Sequence, residues 1–272
     1  MATMQRRKSH SHRKGIIMKS VIAQHDSDAR SVASEEPVRV LVVSDDLPSA
    51  TDLASSDPDL LWNPDAVGVV GSTCSWDLLG AVTDAPAADR ITEHLLRPVL
   101  DNRLATFFLP EASLLTANML LAASRTGLPF GAVLGWVGSE NTADAAHALR
   151  ETGEFDAYED VLAFDAQDEL TQGSVWETMQ MALTPLATDA VFDALSRPGS
   201  GRRNAPAPFG TLHGPAGASS STAVTVHVVR PVSSPWREIT SALVEELRLC
   251  AAECARPTTI VELGTYGKGG RR

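Results

Sequence analysis

The stretch Gly131–Asp156, GAVLGWVGSENTADAAHALRETGEFD, decides how the chain is read. Its apolar run, Gly131 to Val137, is short and meets a Gly-Ser turn, so it reads as a buried strand. A helix is expected to start at Glu140, with Ser139 as its N-cap, and to stop at Gly153. Ala143, Ala146 and Leu149 would turn one face of that helix towards the core. Strand, sharp turn and helix is how several enzyme families present a nucleophile. Here the turn carries Trp136, then Val137, Gly138 and Ser139, and none of these is a nucleophile of the usual kind.

Working outward, VRVLVVSDD (Val38–Asp46) is a β-branched run ending in acids and predicts a buried strand. DAVGVVGST (Asp65–Thr73) predicts a second, FGAVLGW a third, and DAYEDVLAFDA (Asp156–Ala166) a fourth. PEASLLTANMLLAASRTG (Pro110–Gly127) predicts a helix, with Pro110 at its start and Gly127 past its end. It is apolar on nearly all sides, which places it inside the fold. Asp189–Leu195 predicts a short helix and SRPGSGRRNAPAP (Ser196–Pro208) a loop. SSTAVTVHVVR (Ser220–Arg230) alternates as a strand does. The amphipathic helix WREITSALVEELRLCAAECA (Trp236–Ala255) and the strand TTIVELG (Thr258–Gly264) follow. Strands alternating with helices imply an α/β fold with a largely parallel sheet. Residues 1–36 are polar and aperiodic, with a basic stretch RRKSHSHRK (Arg6–Lys14), and are expected to be a disordered arm before one domain at 37–272.

The 272 residues are 43% hydrophobic, enough for a sizeable core. A net charge of -11 argues against a general nucleic-acid or anionic-membrane binder. No apolar run reaches the roughly 20 residues that span a bilayer. Three cysteines give no disulfide framework, no secretory signal is visible, and a cytoplasmic location is expected.

Candidate chemistry is sparse. Cys250 and Cys254 share a helix face without the further ligands that zinc needs, so no metal or cofactor is expected. Cys74, in VGSTCSWDLLG, would be a nucleophile if a helix N-terminus lowered its pKa; otherwise it is an inert buried thiol. His94 and His213 have no motif partner, and GTYGKGG (Gly264–Gly270) lacks phosphate-loop spacing. The SDD closing the first strand is similar to a receiver domain's acidic pocket, but the later elements do not follow that spacing.

Four segments, in order, resemble the β-ketoacyl synthases of the thiolase superfamily. NPDAVGVVGST (Asn63–Thr73) is similar to that family's VGVVVGT strand. FFLPEASLLTANMLLAASRTGLPF (Phe107–Phe130) resembles its PFxxPxxxxN segment and buried helix, with Asn118 near the family's asparagine. Leu149, Arg150, Gly153 and Asp156 keep the rhythm of its IRxGxAD turn. PFGTLHGPAGASSSTAVTVHV (Pro208–Val228), with Phe209, resembles PFDxxRDGFVxGEGAAALVLE. The resemblance implies a thiolase-like half: a mostly parallel mixed sheet covered by helices, with a buried central helix. Trp136 falls where the family's acyl-accepting cysteine would be, Gly210 replaces an aspartate, and Leu263 stands at the first histidine. The second histidine, the lysine and the GFGGxN loop have no clear counterpart. Three readings follow. The chain is a non-catalytic subunit that pairs with itself or with an active ketosynthase, Trp136 lining or plugging an acyl tunnel, with acyl carrier protein as a further partner. Or it is an acyltransferase using Cys74. Or it is a truncated relic.

Overall fold

In the computed structural model the described residues are 38–44, 50–51, 60–66, 71–195, 212–213, 225–232, 236–253 and 258–263. All belong to one unit, residues 35–272. The expected N-terminal arm, the Ser196–Pro208 loop, Phe209, Gly210, Cys254 and the Gly264–Gly270 segment lie outside them. The strands are β1 Val38–Ser44, β2 Leu60–Trp62, β3 Ser75–Trp76, β4 Leu212–His213, β5 Thr225–Arg230 and β6 Thr258–Leu263. The helices are α1 Leu78–Ala81, α2 Ala85–Leu95, α3 Arg103–Thr126, α4 Phe130–Gly138 and α5 Ala143–Thr152. They continue with α6 Phe155–Asp165, α7 Glu169–Leu183, α8 Asp189–Leu195 and α9 Trp236–Glu253.

The protein is an α/β fold. Its main sheet has four strands in the order β2-β5-β1-β6, all parallel rather than mixed. β3 and β4 form a separate antiparallel pair. Helix α9 lies on β5 and β6, and α2 packs on α9. Val40, Val42, Leu60, Val226 and Val228 join that helix layer in one continuous core. Trp62 is fully buried, meets Trp236 edge-on at 6.1 Å between ring centroids, and donates from Nε1 to Thr240 Oγ1 at 2.8 Å. Beyond this layer α3 is the axis of a helical assembly, touched by α1, α2, α4, α5, α6 and α7. The expected central helix is therefore present, buried over residues 115–123 but exposed at Leu104, Phe107 and Leu114.

Several expectations are corrected. Gly131–Val137 is not a strand but lies within α4, where Phe130, Val133, Leu134 and Val137 are buried at helical spacing. Asp156–Ala166 is likewise helical, burying Ala157, Val161 and Phe164 at i, i+4 and i+7. Both segments are short and apolar enough for either period, and packing against α3 selects the helix. Of the strand expected at Asp65–Thr73, residues 67–70 lie outside the described set, residue 65 is in a turn and residues 71–73 are not in a strand; a strand that was not expected runs Leu60–Trp62. The central helix begins at Arg103, not Pro110: Asn102 caps it, accepting from Leu104 and Ala105 amides, and Pro110 sits inside. The elbow helix begins at Ala143, and Ser139 closes the preceding helix instead of opening this one. Its buried face is Ala145, Ala146, Ala148 and Leu149, while Ala143 is exposed. Helices α2 and α7 were not anticipated.

Candidate functional site

The elbow is a helix–turn–helix. Trp136 and Val137 are buried in the last turn of α4, and Gly138 and Ser139 are exposed. Ser139 Oγ donates to Gly135 O at 2.8 Å, which makes it a helix-ending hydroxyl with no base beside it. Glu140 adopts a left-handed backbone (φ 52°). Its amide reaches Val137 O at 3.3 Å and the Asn141 amide reaches Trp136 O at 3.0 Å, a Schellman ending with an acid where glycine is usual. Gln180 of α7 clips the turn, its Nε2 donating to Val137 O and Glu140 Oε1, both at 3.1 Å. Asn141 Oδ1 accepts the Ala143 amide, and Asp144 occupies the first turn of α5. The negative charge of Asp144 in that first turn disfavours an oxyanion there.

Beside the turn lies an open groove of about 480 Å³. Leu128, Ala132, Trp136 and Ala148 give it an apolar floor. Asp144, His147 and Glu151, spaced three and four apart on α5, form a polar rim. Arg150 Nη2 is 3.3 Å from His147 Nδ1.

The other candidate residues are not gathered here. Cys74 precedes β3, is 7% exposed, and its Sγ donates to Leu61 O at 3.2 Å. Burial pushes its thiol up to about 12, the opposite of an activated cysteine. The nearby α1 is opened by Asp77, whose carboxylate accepts the Gly80 amide. Asn118 sits on α3 at the edge of a separate, smaller cleft shared with α6. Of the described residues singled out, only Trp136, Val137, Gly138 and Ser139 come together, and they do so as neighbours in sequence. Among the described residues no group of three His, Cys, Asp or Glu side chains is placed to hold a metal ion.

Sequence reasoning missed a charged cluster where α2, α9, β5 and β6 meet. Arg97 lies 3.8 Å from Glu238, and Glu262 takes both Arg230 (3.1 Å) and Arg248. Desolvation, and then the charge of Arg97, holds the His94 imidazole below its ordinary pKa. His94 Nδ1, Arg230 Nε and Glu238 Oε2 are buried without a hydrogen-bond partner. No local motif marks these residues, because they come from distant segments; the polar positions interrupting the amphipathic helix Trp236–Glu253 are the one available hint. No family model matches the chain, and no curated protein or solved structure matches it either.

Proposed function

We propose that the protein is a non-catalytic binding subunit that holds an apolar chain in the groove beside Trp136. The observation that carries this reading is the groove itself, with its apolar floor of Leu128, Ala132, Trp136 and Ala148. It keeps the tunnel-lining role expected for Trp136. Kinship with β-ketoacyl synthases rests on the four sequence segments alone. The helix Phe130–Gly138 stands where that resemblance requires a strand, so the reading claims the binding role and not the synthase fold. The acidic rim, Asp144 and Glu151, favours a neutral or cationic head group over a carboxylate. Pairing through the strand before the elbow loses its motive, because Val133, Leu134 and Val137 are buried within the chain. A subunit interface would draw instead on the exposed Leu104, Phe107 and Leu114 of α3.

The two other readings have less support. An acyltransferase using Cys74 needs a thiolate that burial disfavours. A poorly folded relic is at odds with the continuous core that joins the sheet to the helices.

The test is titration with a neutral alkyl glycoside of medium chain length, followed by tryptophan fluorescence. The unmodified protein should bind it, and Ala132→Trp, which fills the floor, should weaken binding at least tenfold. Equal binding by Ala132→Trp, or no binding by the unmodified protein, defeats the reading. Malonyl-dependent condensation by the protein alone would defeat its non-catalytic part.

A further inference from the structure

Helix α3 changes character along its length. From Leu115 to Ala123 every residue is buried, whereas over the three turns before it only Ala105 and Ala112 are. The outer face of those turns carries Leu104, Phe107, Pro110 and Leu114, all exposed and spaced three or four apart, so they form one apolar stripe. Leu104 is 80% exposed and Phe107 76%. The Phe107 ring is braced outward: it stands edge-on to Phe108 at 5.0 Å between centroids, and Phe108 packs against the core. A ring already held in place loses little freedom when a partner covers it.

The charges on this face say what covers it. Arg103 lies four residues before Phe107 and Glu111 four residues after. Both are exposed, and neither has an ion-pair partner among the described residues. The helical rise puts them about 6 Å to either side of Phe107 along the axis. A second α3 laid antiparallel, with a two-fold axis at Phe107, brings each residue level with the one equally far beyond Phe107. Arg103 then meets the partner's Glu111, Leu104 meets the partner's Pro110, and the Phe107 ring meets its own copy. Both ion pairs form at once, and an arginine side chain is long enough to reach across helices packed about 8–10 Å apart. A parallel pair would instead set Arg103 against Arg103 and Glu111 against Glu111.

We propose that the protein self-associates as a two-fold dimer through the outer face of Arg103–Leu114, the α3 helices antiparallel and crossing at Phe107. The contact is isologous and closes on itself. Three helical turns cover less than the roughly 1,600 Å² of a standard complex, so the dimer is a weak one. The pairing takes up the α3 face named above as a subunit interface and does not depend on the groove at Trp136.

The test is sedimentation equilibrium of the full chain between about 5 and 500 μM, a range that brackets a weak dimer. The unmodified protein should pass from monomer to dimer. Phe107→Asp should stay monomeric, with its urea midpoint unchanged because the side chain is exposed, and should still bind the alkyl glycoside, so that this inference and the groove reading fail separately. Arg103→Glu and Glu111→Arg should each weaken self-association about tenfold, since two attractive pairs become two repulsive ones. Mixed together, those two variants should associate as tightly as the unmodified protein, because every pair is again of opposite sign. The double variant should also recover. A chain that stays monomeric throughout overturns the proposal, and binding of that monomer to phosphatidylcholine vesicles would assign the face to a membrane. Self-association that ignores both charge reversals, or a mixture no tighter than its components, overturns it as well.

Discussion

Cys74 offers a direct test of whether the protein has a usable nucleophile. Take a variant in which Cys250 and Cys254 are serine, leaving Cys74 as the one thiol. Its side chain is 7% exposed, its Sγ donates to Leu61 O, and burial raises its pKa to about 12. At about pH 8 an unperturbed thiol is roughly one quarter thiolate, while a thiol at about 12 is ionised in about one molecule in 10⁴. Ionisation alone therefore cuts the reactive thiolate by roughly 10³-fold; the greater nucleophilicity of a more basic thiolate returns part of that, and burial adds a steric barrier. Reaction with an aromatic disulfide, followed by absorbance in native buffer and in urea, should be far slower in native buffer. The same shift has a consequence for stability. The folded state prefers the neutral thiol, so its contribution is complete below the unfolded pKa of about 8.5 and declines as pH rises towards about 12. Between about pH 8.5 and 10 the loss should be about 2 kcal/mol, and Cys74→Ala should remove that part of the alkaline slope. Reaction in native buffer at the rate of a free thiol, with no alkaline slope, would refute the reasoning and return Cys74 to the list of catalytic residues.

Two stability predictions follow from local geometry. Ala66 holds a left-handed backbone (φ 51°) in the exposed turn whose amide reaches Asn63 O, so Ala66→Gly should raise the urea midpoint, with a gain of about 0.5–1 kcal/mol; a loss would show that the turn is not strained there. Thr240→Val keeps the side-chain volume but strips Trp62 Nε1 of its acceptor in the core, and should cost about 1–3 kcal/mol by chemical denaturation; an unchanged midpoint would mean that the indole finds another partner.

How much of this was legible in the sequence depends on what each segment packs against. Val38–Ser44, Thr225–Arg230 and Thr258–Leu263 were readable as strands, because β-branched residues cluster there between polar or loop-forming residues. The long helices Arg103–Thr126 and Trp236–Glu253 were readable from length and composition, although Pro110 misplaced the start of the first. Asn118 was visible as a polar residue in an apolar helix, but not as an unpaired one.

The elbow was different. FGAVLGWVG is apolar on every side, so its pattern fits a buried strand or a buried helix equally well. A strand is viable only if a neighbouring edge accepts its backbone groups, and that condition lies far away in sequence. Here the neighbours of Phe130–Gly138 are the helices α3, α7 and α8, which offer no such edge, and the backbone must pair with itself. The sequence by itself determined the composition of the core, the parallel α/β class, and the lack of a thiol at the turn. Only the tertiary structure decided that the turn joins two helices, and that Asp144, His147 and Glu151 rim a groove over Trp136. The reason is that local preference in an all-apolar segment is nearly balanced, so the decision passes to the backbone hydrogen bonds that the surrounding fold leaves open.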